Sequence, residues 1–415
     1  MSDCTANVAG QDYADFIYRH NAASLEELAD TLGTDCISYV NESYVVYHVP
    51  LSEALPLSVP NHSYESIPAL FGLMDTTSME ASGIIPTFRH PALGSNGEGV
   101  IVGLIDTGID YQNPLFRNLD GTTRILGMWD QTAENGGFEL TGNRPFLFPF
   151  LYGKEYTAQD IDKALESDAP LDMVPATDPN GHGTFLAGIA AGRYEASMSF
   201  VGAAPLCHLG VVKLKSAKQY LRQYYMIPDN ADAYQSNDIM MGITYLALLA
   251  RRHRMPLVIC LGLGTNHGGH SGAAPVGEVL NSLRAFMGVA AVCPAGNEAG
   301  LRHHHLGQVN GPAGGYSDYN EVELRVGEGE KGFAIELWAN SPEIYTVGFV
   351  SPAGEAVQRI PLSLNKETTI SFSLEPTTIS VSYATTLGFQ SSYLALLRFI
   401  APTPGIWRIR VYPTI

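Results

Sequence analysis

This sequence predicts an α/β protein in which a doubly wound parallel sheet is preceded by a small α+β unit and followed by an antiparallel β-sandwich. Three observations predict it. Residues 100–106 and 257–261 are unbroken apolar runs, the pattern of strands covered on both faces in a parallel sheet flanked by helices. Strand-like and helix-like patterns then alternate from residue 209 to residue 293. From residue 317 onward the apolar period becomes two, in segments separated by Gly, Pro and Asn turns.

In chain order, residues 12–20 read as a helix, and residues 24–31 as a second one opened by Ser24 with Glu27 three positions on and stopped by Gly33. Residues 36–40 and 44–49 are rich in β-branched and aromatic side chains and read as two strands. Proline-bearing residues 51–63 read as an exposed linker, and residues 70–82 as a short helix ended by Gly83. Residues 124–130 form the next expected strand. Residues 132–175 have little periodicity outside a helix at 157–166 and are expected to ride on the surface. The strands at 209–214, 257–261 and 289–293 alternate with helices at 237–253 and 277–287. The expected units are residues 1–65, 66–316 and 317–415.

Composition excludes several classes. With 45% hydrophobic and 16% charged residues among 415, the chain holds substantial cores. A net charge of −18 argues against nucleic acid or anionic membrane surfaces as partners. The N-terminus lacks a basic start and an apolar core, and no run approaches the roughly 20 apolar residues that span a bilayer, so a cytoplasmic origin without a signal peptide is expected. The five cysteines share no CxxC or metal-ligand spacing; Cys260 and Cys293 read as reduced small hydrophobes and a reducing compartment fits best. No cofactor or metal is expected. Adjacent His303, His304 and His305 cannot easily turn onto one ion.

Three stretches carry chemistry. Asp106-Thr107-Gly108 ends the buried strand at 100–106, where ligands bind in open parallel sheets; an aspartate there is equally a turn cap. In Asp178-Pro179-Asn180-Gly181-His182-Gly183-Thr184, glycines bracket His182 and small residues follow at helical spacing, which places the imidazole in the first turn of a closely packed helix. A carboxylate fixing one ring nitrogen leaves the other to take a proton from a nucleophile. Ala295-Gly296-Asn297 follows the strand at 289–293, and its carboxamide is either a turn former or a donor to an oxyanion.

Asp-Thr-Gly, then Gly-His-Gly-Thr, then Ala-Gly-Asn, in this order across residues 99–300, resemble the subtilisin-like serine proteases. The resemblance implies that Asp106 orients the ring, His182 is the general base, Asn297 is the oxyanion donor and Gly262-Leu263-Gly264 pairs with substrate backbone. Gly262 stands where the family usually has Ser. Residues 129–132, 263–270 and 296–304 are further similar to the Csp germination proteases of clostridia and related spore formers. That likeness implies a prodomain over residues 1–65, a jelly-roll insertion at 317–415, and spore-associated proteolytic activation of a cortex-hydrolase precursor by a monomer. The expected partners are this zymogen-like protein substrate and the chain's own prodomain.

The family's Gly-Thr-Ser-x-Ala-x-Pro segment is absent from the 415 residues. Ser271, in Gly-His-Ser-Gly-Ala-Ala-Pro, precedes Asn297 and belongs to a different loop, while Ser391 and Ser392 lack the glycine context. The expected reading is the N-terminal portion of an active protease, inactive as it stands. The alternative is a non-catalytic pseudoprotease that binds a partner, with a carbohydrate-binding role for residues 317–415 as a more distant reading.

Overall fold

The computed structural model describes residues 8–22, 24–73, 96–134, 136–139, 149–194, 200–269, 271–285, 287–309, 319–364, 366–386 and 392–414. The N-terminal unit is a three-stranded antiparallel sheet in the order β1-β3-β2, with β1 at Tyr13–Arg19, β2 at Ile37–Asn41 and β3 at Tyr44–Pro50. Helix α1 (Leu25–Leu32) begins where Ser24 accepts from the Glu27 N–H and ends on Gly33 in the left-handed region. The expected helix at 12–20 is instead β1. Its backbone pairs with β3 from Tyr13 opposite Pro50 to Arg19 opposite Tyr44, and this non-local ladder overrides local helical preference.

Residues 51–63 are not an exposed linker. They coil into two short helical turns that bury Ala54, Leu57 and Val59 in a cluster with Tyr220, Leu221 and Tyr224. Nor do residues 70–73 open a helix: Leu70–Leu73 is strand β4, and the remainder of the expected helix lies outside the described residues. Cys36 is disulfide-bonded, which corrects the expectation of a reduced chain at this position; Cys207, Cys260 and Cys293 are free.

The central unit carries, in chain order, β5 (Ile101–Asp106), β6 (Ile125–Asp130), β7 (Lys154–Thr157), α2 (Ala158–Leu165), α3 (His182–Ala191), β8 (His208–Lys213), β9 (Tyr234–Gln235), α4 (Ser236–His253), β10 (Leu257–Leu261), β11 (Leu263–Gly264), α5 (Pro275–Ser282) and β12 (Val289–Val292). Its six-stranded sheet runs β12-β10-β5-β8-β6-β7, parallel except for β7. Helix α4 covers one face through Ile243, Leu246 and Leu249, while α3 covers the other through Leu186, Ala187 and Ala191. The sheet is therefore buried on both sides, as the unalternating strands require.

The expectation that residues 132–175 ride on the surface fails here because of what lies beyond the local sequence. Much of 149–175 joins the core: Phe150, Tyr152, Tyr156, Ile161 and Val174 are buried, and Trp129 Nε1 donates to Tyr152 O at 3.1 Å. The expected strand at 289–293 is β12, an edge strand with Val292 58% exposed, because no described element packs beyond it.

The last unit is two four-stranded antiparallel sheets. With β13 at Asn320–Val326, β14 at Gly332–Asn340, β15 at Tyr345–Val350, β16 at Ala356–Val357, β17 at Glu367–Ser371, β18 at Thr378–Thr386, β19 at Ser392–Ile400 and β20 at Gly405–Pro413, the orders are β13-β20-β15-β16 and β14-β19-β18-β17. Phe349 and Trp407 of one sheet meet Phe399 of the other edge to face in their shared core. The alternate residues Leu394 and Leu396 of β19 face outward and pack on the other two units.

Candidate functional site

Because β12, β10 and β5 are parallel neighbours, their carboxyl ends reach one rim of the sheet, which gathers Asp106, Gly262 and the loop bearing Asn297. Asp106 is buried, and its Oδ1 accepts from the Thr107 N–H (2.8 Å) and from His182 Nδ1 (2.8 Å). A carboxylate only accepts, so Nδ1 carries the proton and Nε2 is the nitrogen with a basic lone pair. This is the orientation a general base needs.

The first turn of α3 leaves backbone N–H groups without intrahelical partners, and no side chain at the N-cap, Gly181, satisfies them. Asn180 Oδ1 accepts from the His182 N–H (3.3 Å), and two further groups that the sequence reading did not single out satisfy the others. Thr107 Oγ1 accepts from the Gly183 N–H (2.9 Å) and donates to Asp178 Oδ1 (2.7 Å). Asp178 also accepts from the N–H of Gly181 (3.0 Å) and, through Oδ2, from the N–H (2.8 Å) and hydroxyl (2.6 Å) of Thr184. Burial raises the Asp178 pKa, but the hydrogen bonds from Thr184 and Thr107 outweigh it and hold the carboxyl below its ordinary value. The signal was present in sequence, as an aspartate three residues before Gly181 and six before Thr184.

Close approach explains two glycines. A Cβ on Gly183 would sit 2.2 Å from Gly108 O, so α3 can reach the turn after β5 only without a side chain there. A Cβ on Gly262 would meet Leu186 Cδ1 at 2.1 Å, Asp106 Oδ2 at 2.8 Å and His182 Cε1 at 3.1 Å. Oδ2 is buried with no hydrogen-bond partner among the described residues, so the carboxylate is oriented through Oδ1 alone. Gly262→Ala is expected to destabilise the chain by about 1–3 kcal/mol through overpacking beside the dyad. An unchanged urea midpoint would show that the site relaxes freely.

Leu263 and Gly264 pair antiparallel with Leu73 and Gly72, while Phe71 and Leu70 pair with Tyr234 and Gln235. Strand β4 thus lies between β11 and β9, with Phe71 packed against the core cluster that contains Tyr234, Leu263 and Val276. The resemblance alone singled out residues 262–264, and β9, only two residues long, has no periodicity from which it could have been detected. Asn297 lies on the exposed loop after β12. Ser271 sits in the loop before α5, lining a cavity with His267 and Trp338 rather than with the dyad. His303 contacts Glu298 on the surface, and among the described residues no cluster of His, Cys, Asp and Glu is arranged to hold a metal ion. None of the described helices is long and apolar enough to cross a membrane.

The chain is similar to the CspB protease of Clostridium perfringens, whose solved structure superposes with a TM-score of 0.66 and 25% identity over 81% of this chain and 65% of that one. Among curated proteins of Arabidopsis thaliana, it is 28% identical over 153 residues to subtilisin-like protease SBT1.9, covering 34% of this chain and 20% of the relative. It is 32% identical over 127 residues to subtilisin-like protease SBT2.2, covering 28% and 15%. The chain thus spans about a fifth or less of those two curated relatives and just under two thirds of the CspB protease. The model of the Subtilase family (Peptidase S8) matches residues 97–358, well over half the chain and both members of the Asp106–His182 pair, and the chain belongs to that family.

Proposed function

We propose that the chain is the larger part of a subtilisin-like serine endopeptidase whose nucleophile is carried by a segment outside these 415 residues. The observation that supports this most directly is the 2.8 Å bond from His182 Nδ1 to Asp106, at the rim where β4 occupies an extended peptide's place. In this reading a serine Oγ attacks the scissile carbonyl carbon as its proton passes to His182 Nε2, and buried Asp106 stabilises the imidazolium. The carbonyl oxygen becomes an oxyanion and accepts from the Asn297 carboxamide. His182 then returns the proton to the leaving amine as the C–N bond breaks, and water later hydrolyses the acyl-enzyme.

Residues 1–65 act as a prodomain in this reading, and Leu70–Leu73, just beyond it, lies in the groove between β11 and β9. Residues 66–316 are the peptidase unit and residues 317–415 a jelly-roll-like insertion. By the resemblance of its motifs to the Csp germination proteases, the substrate in this reading is a zymogen-like precursor of a spore-cortex hydrolase. The alternative is a pseudoprotease that binds such a protein without cutting it.

A fluorophosphonate probe, which reacts with activated serines, separates the two. Residues 1–415 alone are expected to be silent. Extended by the C-terminal third of the C. perfringens CspB protease, the chain is expected to label, and His182→Ala to abolish labelling. A folded extended protein that stays silent would favour the binding protein.

A further inference from the structure

We infer that the β-sandwich sets the geometry of the peptide groove through one carboxylate, Glu336, which acts as a positioning residue for β11 and β4. Glu336 lies on β14, in the sheet whose outer face packs on the other two units, and its side chain is 6% exposed. Its two oxygens accept four hydrogen bonds from all three units. Oε1 accepts from the Tyr64 hydroxyl of the N-terminal unit (2.7 Å) and from His267 Nδ1 of the central unit (2.7 Å). Oε2 accepts from the Gly268 N–H (2.7 Å) and from its own sheet neighbour Trp338 Nε1 (3.0 Å). Burial raises the pKa of this carboxyl, yet the bonds from His267, Gly268 and Tyr64 outweigh it and hold it below its ordinary value, so the acceptor is ionised.

The consequence follows from where the donors sit. His267 and Gly268 come three and four residues after Gly264, the end of the β11 wall, and Tyr64 comes six residues before Leu70, the start of β4. The carboxylate therefore ties the exit of one groove strand to the entry of its partner. Packing adds to this tie, since Tyr64 meets Trp338 edge to face and His267 lies against Tyr225. A cavity of about 70 Å³ lies alongside, lined by Tyr64, Phe71, His267, Gly268 and Trp338, so atoms on that side are free to shift once the bonds are lost.

The inference rests on the β4–β11 ladder being the peptide groove, but its test needs no catalysis and so fails independently of the protease reading. Amide hydrogen exchange is measured on the full chain, on Glu336→Ala and on the near-isosteric Glu336→Gln. The amides of the β4–β11 ladder are expected to exchange at least about tenfold faster in Glu336→Ala, with Glu336→Gln intermediate and the β19 and β20 amides unchanged. If Glu336→Ala fails to fold, a rise of about threefold in Glu336→Gln, confined to β4 and β11, is the expected result. Unchanged exchange in the groove strands of a folded variant would overturn the inference. So would an equal rise throughout the sandwich, which is what a merely structural role produces.

Discussion

Lys218→Met is expected to loosen the N-terminal unit more than any other single change outside the catalytic rim, at a cost of about 3–5 kcal/mol, because it strands a buried carboxylate. Lys218 is fully buried, and its Nζ donates to Asp15 Oδ1 (2.8 Å), Val8 O (2.6 Å) and Tyr13 O (2.9 Å). Asp15 also accepts from His48 Nδ1 at 2.7 Å and, through Oδ2, from Gln235 Nε2 at 2.9 Å. Burial pushes the Asp15 carboxyl up, but Lys218 and His48 beside it outweigh that and hold it well below its ordinary range. Ser38 Oγ lies 2.8 Å from His48 Nε2, so Ser38, His48 and Asp15 are strung together as a nucleophile, base and acid would be. All three are sealed from solvent and Asp15 is committed to Lys218, so the string joins units and performs no hydrolysis. Since Gln235 belongs to β9, the same network braces the strand that pairs with β4. The urea midpoint followed by circular dichroism measures the loss, and Asp15→Asn combined with Lys218→Met should recover most of it, since a neutral pair leaves no stranded charge. A variant as stable as the parent would mean that water reaches Asp15.

The residues that made the fold legible were those whose pattern has a single physical solution. An apolar run ending in Asp-Thr-Gly can only be a strand covered on both faces, and β5 is buried along its whole length. Glycines bracketing His182 could be read as close approach, and the Cβ clash at Gly183 is that approach. What stayed illegible was set by distant partners. Residues 13–19 became a strand because β3 was there to pair with them, and residues 70–73 became one because β9 and β11 flank them. The exposure of β12 depends on what fails to cover it, which its own sequence does not encode. Asp15, Lys218 and Glu336 are ordinary charged residues in sequence, and their roles arise from contacts across 203 and up to 272 positions of chain. Asp178 is the intermediate case, since its partners lie within six residues on one side and at Thr107 on the other.

Asp178→Ala is expected to cost about 2–3 kcal/mol and to disturb the dyad without touching either member of it. The substitution removes four hydrogen bonds at once, those from the Thr107 hydroxyl, the Gly181 N–H and both donors of Thr184. The first turn of α3 then loses the group that serves as its N-cap, and Thr107 loses the partner that orients its hydroxyl toward Gly183. Since Thr107 follows Asp106 and Gly181 precedes His182, the two segments that set the dyad distance are released from each other. In the chain extended with a serine segment, the fluorophosphonate labelling rate should fall by about tenfold to a hundredfold, the scale of a small misplacement of a catalytic group. Asp178→Asn keeps one accepting oxygen and should fall between. The pH dependence has a definite sign. Asp178 has a folded pKa below its ordinary value of 3.8, so its contribution is present in full above that value and is lost as pH falls through the lower folded one. The stability gap between parent and Asp178→Ala should therefore be constant from about pH 5 to 7 and narrow below about pH 4, as protonation removes from the parent what the substitution has already removed. Urea midpoints of both proteins across pH 3 to 7 measure it. A gap that persists undiminished at the acid end would show that the aspartate's shape, rather than its charge, holds Asp106 and His182 together.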